Sequence, residues 1–483
     1  MNNAIRHTWV VSVGMFLVLF AALSVIQVAL TDELNNDSNN ARQIYNDRGA
    51  PRGAITVDGS PIAESVPAEN SNFDYQRVYH DPELYFGITG YYSISAPPTG
   101  LEGALNEYLS GQSDSQFFDR MTSLFTGETL EGAQVELTLD PELQRQAYDM
   151  LPDGEKGSVV VQEVDTGNIV AMASKPTYDT NDLAVHSTEQ FQETIEELED
   201  RDDLSPHYYR PLETTIAPGS VFKLVDLVAM LESGDYDPET VMDNPDEMEF
   251  ADSDRTLPNF TTGLCHQRTE SDLTWIVAQS CNTPFGEAAL DLGEDTLRET
   301  AEEFGWNQAP QIPLRTQPSA FPEDVGGQAP LAYSAIGQQN VTATALQINM
   351  MASAIANGGT LMHPNLVDSI RGSDLQLLDQ PDPEVFNEVT SEEVAEEITE
   401  MMVAVTEEGT GQSAQSSSFD VAAKTGTAEG TQEGMVNSWI TGFAPADNPQ
   451  YAVTISYENI DYETGSSLTG PQMLQLLEAV IEP

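Results

Sequence analysis

Ser220 and Lys223 stand three residues apart in the segment TTIAPGSVFKL, directly after a Pro-Gly pair, and that spacing can make a nucleophile. Phe222, Val225, Val228 and Leu231 recur at helical spacing around them, which predicts Ser220 at a helix N-terminus. Unpaired backbone N–H groups and the positive end of the helix dipole favour a developing negative charge there. Lys223 lies one turn on, on the same face as the serine. A serine hydroxyl is a weak nucleophile at neutral pH, and a lysine whose charged form is disfavoured by burial can take its proton. Lysine is scarce in this chain, with only Lys156, Lys175, Lys223 and Lys424 against 79 acidic residues. The S-x-x-K spacing alone is weak evidence, and two further segments give it weight.

The first is WIVAQSCNTPFGEAAL, where Ser280, Cys281 and Asn282 interrupt an apolar helical pattern. The Ser280 hydroxyl can relay a proton to a leaving group, and the Asn282 amide can hold both Lys223 and a substrate carbonyl. The second is AAKTGTAE, a predicted strand in which Gly426 removes side-chain bulk so that a substrate backbone can lie alongside. Lys424 supplies positive charge for a substrate carboxylate, which the hydroxyls of Thr425 and Thr427 can also bind. The backbone N–H groups of Ser220 and Thr427 are expected to form an oxyanion hole.

A nucleophile on a helix and a carboxylate site on a strand need a domain that packs one against the other. Residues 133–483 carry the pattern for it. AQVELTLDPELQRQAYDML reads as a strand running into an amphipathic helix, and GSVVVQEVDTGNIVAMAS as two strands across an Asp165-Thr166-Gly167 turn. Long helices are predicted from Ser220 to about Gly358, then three strands, DVAAKTGTAE, SWITGFAPA and YAVTISYE, and a closing helix in GPQMLQLLEAVIE. Strands at both ends with helices between imply an α+β domain whose sheet is built from both ends. Residues 31–132 read as a polar stalk and a small mixed α/β N-terminal domain, with a hairpin at Asp58-Gly59 and a short helix in GLEGALNEYLSG. The acidic helix in STEQFQETIEELEDRDD reads as a solvated face.

The segment from Trp9 to Leu30 carries no charge over 22 residues. As a helix that spans roughly 30 Å of hydrocarbon. Its length and the weak cleavage pattern in VALTDE favour a retained anchor over a signal peptide. Arg6 precedes it and Asp32, Glu33 and Asp37 follow, so residues 1–8 are expected in the cytoplasm, 9–30 in the cell membrane and the rest outside. A formal charge of -61 argues against nucleic-acid binding and for a solvated acidic surface. The six histidines are scattered without metal-ligand spacing, so neither metal nor cofactor is expected. Cys265 and Cys281 lie in the exported part, where both a disulfide and two free thiols are open, Cys281 then packing as a small core residue.

S-x-x-K, S-x-N and K-T-G in this order resemble the signature of penicillin-recognising serine transferases and hydrolases. Beyond them, RGAITVDGSPIAES, GITGYYS, LTLDPELQRQA, NIVAMASKPTYD, AIGQQNVTATALQINMMASAIANGG and SWITGFAPA look like the class B penicillin-binding proteins, especially an actinobacterial group that acts at division. The resemblance covers nearly the whole chain after residue 40. It implies a penicillin-binding/serine β-lactamase-like transpeptidase fold: an antiparallel sheet, helices on both faces and a helical subdomain. It implies a peptidoglycan D,D-transpeptidase in which Ser220 takes the acyl group of a stem peptide ending in D-Ala-D-Ala and passes it to an amine. β-Lactam antibiotics are then expected to acylate Ser220. Residues 40–130 are too few for a transglycosylase, so a glycan polymerase and division proteins are the expected partners. A D,D-carboxypeptidase, a β-lactamase or a non-catalytic wall-assembly scaffold are the alternatives. Glu303 and Asn307 in EEFGWN mimic the water-directing pair of β-lactamases and read as structural here.

Overall fold

GSVVVQE carries apolar residues in succession, the pattern of a strand covered on both faces. In the computed structural model this segment, Lys156–Glu163, lies inside a five-stranded antiparallel sheet. The strand order is Ala422–Glu429, Val436–Ala444, Tyr451–Ile460, Lys156–Glu163 and Ile169–Lys175. The sheet is therefore built from both ends of the domain. Val160, Met172, Trp439 and Phe443 face one core, whereas Val159, Val161, Ala171 and Ile440 face the other. The helices Lys223–Glu232 and Ala345–Ala356 pack into the first core, and Pro141–Asp149 and Tyr462–Ile481 into the second. The K-T-G strand is the edge of this sheet, which leaves it a free side.

The structure describes residues 3–26, 51–68, 73–117, 120–122, 131–251, 253–260 and 263–481. Most of the expected stalk and the last four residues of the expected membrane span lie outside them. Asn3–Ser24 is one helix, and Ile5–Ser24 is long and apolar enough to cross a membrane by length and composition.

A second sheet of six strands runs Leu377–Asp379, Val367–Arg371, Gln134–Leu137, Ile55–Val57, Ser60–Pro67, Tyr75–Tyr79. Asp58 and Gly59 both take positive φ, 47° and 69°, the left-handed pair that a two-residue hairpin turn needs. Gln134–Leu137 pairs in parallel with Ile55–Val57 and does not join the five-stranded sheet. Its alternating burial sends Val135 and Leu137 into the core beside Ile55. GLEGALNEYLSG forms two short helices, Gly100–Ala104 and Asn106–Leu109, that break at Leu105. The helical stretch expected from Ser220 to Gly358 is interrupted by two small ribbons. One pairs Val241–Asp243 with Glu270–Asp272, and the other pairs Glu247–Phe250 with Ser253–Pro258. Cys265 and Cys281 are joined in a disulfide, which sets aside the free-thiol alternative.

One buried ion cluster organises the smaller domain. Glu102 is fully buried, with one carboxylate oxygen on Arg52 Nε at 2.8 Å and the other on Arg77 Nε. Burial alone would raise its pKa, but the two guanidinium groups outweigh that and hold it below the usual carboxylate value. Removing the carboxylate leaves two buried arginines without their anion. Glu102→Ala is therefore expected to destabilise the protein by about 3–5 kcal/mol. The depressed pKa means that wild type keeps this stabilisation above the unfolded carboxylate pKa and loses it as pH falls through the folded one. Thermal unfolding followed against pH checks this: equal midpoints for Glu102→Ala and wild type at neutral pH would contradict it.

Candidate active site

The segment that brings Ser220 to the sheet is tied down on three sides. The carbonyl of Ala217 accepts the Trp439 indole N–H at 3.0 Å, Ile216 bridges to Ala343, and the Gly219 N–H donates to the carbonyl of Gly337 at 3.0 Å. Gly219 has φ +57°, and a Cβ there would stand 2.6 Å from the carbonyl oxygen of Thr427. Only glycine allows both the left-handed turn and this approach. Across the same contact, a Cβ on Gly426 would meet the carbonyl oxygen of Pro218 at 2.7 Å. The backbones of Ser220 and Thr427, expected to form the oxyanion hole, are brought together by these two close approaches.

Ser220 lies in a 3-10 turn, Gly219–Phe222, that leads into the helix Lys223–Glu232. Lys223 is fully buried, and its Nζ donates to the carbonyls of Ser280 and Cys281 at 2.9 and 2.8 Å and to Asn282 Oδ1 at 2.9 Å. Among the described residues Ser220 Oγ has no hydrogen-bond partner, so Lys223 here faces the 280–282 turn and not the serine. Three N–H bonds on three oxygens suit the ammonium form. Loss of a proton leaves two N–H groups and a lone pair, so one oxygen is released and the lone pair can turn to Ser220 Oγ. Burial, then the charge of Lys424, push the Lys223 pKa well below its ordinary value; Asp226, one turn along the helix, opposes them. Asp226 is itself buried, with neither carboxyl oxygen hydrogen-bonded, and burial drives its pKa up, so its opposing charge is small.

The turn that holds Lys223 is shaped by its own backbone. The helix Leu273–Gln279 ends at Ser280 in the left-handed region, φ 60° and ψ 36°, which turns the carbonyls of 280 and 281 towards the lysine. Asn259 Oδ1 accepts the backbone N–H of Asn282 at 2.7 Å, and the Asn282 amide donates to the carbonyl of Pro258 at 2.9 Å. The second amide hydrogen of Asn282 remains for a substrate carbonyl. Ser280 Oγ accepts from Lys424 Nζ at 2.7 Å, and that ammonium also donates to the carbonyl of Thr425 at 3.0 Å. Burial lowers the Lys424 pKa to about 7.

All eight candidate residues, Ser220, Lys223, Ser280, Asn282, Lys424, Thr425, Gly426 and Thr427, thus meet at one place. Two contributors went unread in the sequence. Thr410 presents its hydroxyl to that of Thr425 at 2.6 Å, held there by its N–H on the carbonyl of Ala278. Asn259 orients Asn282, as described. Neither carries a motif, because each acts through a contact distant in sequence. Glu303 and Asn307 lie elsewhere. Glu303 feels the charges of Glu232 and Glu299, and Glu232 ends the helix that Lys223 begins. Nine residues of helical rise place it roughly 13 Å from Lys223. Asn307 instead fastens the chain at Phe321, whose N–H its Oδ1 accepts at 3.0 Å. The β-lactamase-like water pair is therefore not assembled at Ser220.

Residues 157–478 match the penicillin binding protein transpeptidase domain, and 52–135 match the penicillin binding protein A dimerisation domain. The chain is 36% identical over 482 residues to the peptidoglycan D,D-transpeptidase PbpA of Mycolicibacterium smegmatis, covering 98% of this chain and 97% of that protein. It is 33% identical over 502 residues to PbpA of Mycobacterium tuberculosis, covering 100% and 99%. Among solved structures, a penicillin G acyl-enzyme complex of penicillin-binding protein A from M. tuberculosis superposes with a TM-score of 0.83. That match has 33% identity and covers 89% of this chain and 100% of the other. With the transpeptidase model spanning two thirds of its length and full-length relatives above 30% identity, the chain belongs to the class B penicillin-binding proteins.

Proposed function

We propose that the protein is a membrane-anchored peptidoglycan D,D-transpeptidase, with Ser220 as the nucleophile and Lys223 as its base. The observation that carries this is the buried Lys223 ammonium, held by the 280–282 turn, depressed in pKa and one turn from Ser220, whose hydroxyl has no hydrogen-bond partner among the described residues. Lys424, Thr425, Thr427 and Thr410 offer a charge and three hydroxyls to the terminal carboxylate of a D-Ala-D-Ala stem peptide. The Ser220 and Thr427 backbone N–H groups polarise the penultimate D-Ala carbonyl.

The Ser220 proton passes to Lys223 Nζ as Oγ bonds to that carbonyl carbon. When the C–N bond to the last D-Ala breaks, the proton taken up by Lys223 is passed to the leaving nitrogen through Ser280 Oγ, which accepts from Lys424 Nζ and belongs to the residue whose carbonyl accepts from Lys223 Nζ. An amine of a neighbouring stem then attacks the ester, gives its proton to Lys223, and Ser220 Oγ recovers it. A hydrolase would need a base for water, and the carboxylate that resembled one, Glu303, sits away from Ser220.

The charge pattern around the apolar helix supports an outward-facing catalytic domain, with Arg6 before the span and Asp32 and Glu33 after it. In this reading residues 31–132 form the stalk and a non-catalytic domain, residues 133–483 the transpeptidase domain. A glycan polymerase and division proteins are the partners, the latter inferred from the resemblance of the sequence to the division-associated group.

Incubation with benzylpenicillin is expected to add one penicillin mass to the intact protein, stable for minutes, on the peptide containing APGSVFK. Ser220→Ala should show no adduct, and rapid turnover without an adduct would refute the transpeptidase assignment in favour of a β-lactamase. Lys223→Ala should lower the acylation rate by at least about a hundredfold. Lys223→Arg should recover little of it, because a guanidinium stays protonated. Stopped-flow acylation rates decide, and near-complete recovery by arginine would remove Lys223 from the base role.

A further inference from the structure

Arg255, on the strand Ser253–Pro258, is exposed, yet its guanidinium is held in place. It stacks 4.2 Å from the centroid of the Tyr333 ring and donates from Nη1 to Gln339 Oε1 at 3.1 Å. Tyr333 is fixed in turn by its hydroxyl, which donates to the carbonyl of Thr256 at 2.7 Å. Both anchors lead to the catalytic turns. Pro258, three residues along the same strand, accepts the Asn282 amide, and Gln339 follows Gly337, whose carbonyl accepts the Gly219 N–H. The guanidinium therefore bridges the two segments that flank Ser220.

In a chain of charge -61 Arg145, Arg201 and Arg298 each have a carboxylate partner, whereas the exposed Arg268 and Arg371 have none among the described residues. Among the described residues Arg255 has none; its ties are an aromatic face and an amide, neither of which neutralises it. Nε and Nη2 are left to present a fork to an incoming anion. Under the transpeptidase reading the donor's acyl-side carbonyl docks at Asn282, whose amide donates to the carbonyl of Pro258 on the strand that carries Arg255.

We propose that Arg255 binds a second carboxylate of the stem peptide, upstream of its D-Ala-D-Ala end, and so favours donors that carry this group free over donors that carry it as an amide. The proposal rests on the transpeptidase reading above. A solvent-exposed arginine–carboxylate pair contributes modestly, corresponding to a preference of about fivefold, and added salt weakens it. The expected effect is on donor selection, since Arg255 touches neither Ser220 nor Lys223.

The test uses the full-length protein and two synthetic donor peptides that end in D-Ala-D-Ala and differ only in a free carboxyl or a primary amide upstream. The kcat/KM for D-Ala release is measured for both, and their ratio is insensitive to the fraction of protein folded. Wild type should favour the free carboxyl by about fivefold. Arg255→Gln should bring the ratio near one, Arg255→Lys should retain part of it, and the wild-type ratio should shrink as salt is raised. A wild-type ratio near one or below, or an unchanged ratio in Arg255→Gln, overturns the proposal. Failure of benzylpenicillin to acylate wild-type Ser220 would instead overturn the transpeptidase reading, and this proposal with it.

Discussion

The site depends on one buried amine. Lys223 has no access to water, and its ammonium is kept by three oxygens on a single turn, Ser280 O, Cys281 O and Asn282 Oδ1. Burying a charge is costly unless its hydrogens are met, and a base must also be able to lose the charge. Two competing demands therefore meet at one atom. The oxygens make the charged form tolerable, while burial and the nearby Lys424 make the neutral form accessible. Much of the surrounding structure serves to hold the 280–282 turn in position. Ser280 sits in a left-handed conformation, Cys281 is tied to Cys265, and Asn282 is gripped by Asn259 and Pro258. Asn259 donates in its turn to Asn244 Oδ1 at 2.8 Å, and Asn244 to the carbonyl of Cys265 at 2.9 Å, so both ends of the disulfide share one polar network.

The second constraint is electrostatic. The surface is strongly acidic, yet the two lysines at the centre are withdrawn from it, each fully buried. Withdrawal keeps them out of direct contact with surface carboxylates, whose longer-range pull is weakened by salt. It also lowers both pKa values, Lys424 to about 7 and Lys223 well below the ordinary lysine value. By contrast, the buried arginines of the smaller domain cannot lose their charge, and the structure supplies Glu102 to both. The same chain thus treats a buried cation in two ways: neutralised by an anion where it is structural, left to titrate where it is placed for chemistry.

Local pattern made much of this legible. The strands of the central sheet could be read as two across the Asp165-Thr166-Gly167 turn and three consecutive ones near the C-terminus, the hairpin at Asp58-Gly59 from its turn residues, and all eight candidate residues from three short motifs that the fold gathers together. What escaped reading was long-range. Gln134–Leu137 looks like any strand, and only the tertiary fold decides that it pairs with Ile55–Val57. The ribbons Val241–Asp243/Glu270–Asp272 and Glu247–Phe250/Ser253–Pro258 are too short for a period to register within a helical region. Thr410 and Asn259 carry no motif of their own, and their parts depend on contacts with Thr425 and Asn282 made across the fold. The disulfide was open from spacing alone, since connectivity and redox state follow from geometry, not from sequence separation.

The pH dependence of the second-order rate of Ser220 acylation by benzylpenicillin tests the central claim most directly, because it reports the free enzyme's essential groups. If Lys223 is the base, the rate rises as its ammonium gives up a proton, at a pH well below the ordinary lysine value of 10.5. It then falls as Lys424 loses the charge that attracts the carboxylate, near about 7. A bell whose falling limb lies near about 7 is the predicted result. A rate that climbs steadily through pH 9 and 10, as an unperturbed lysine would give, would contradict the account.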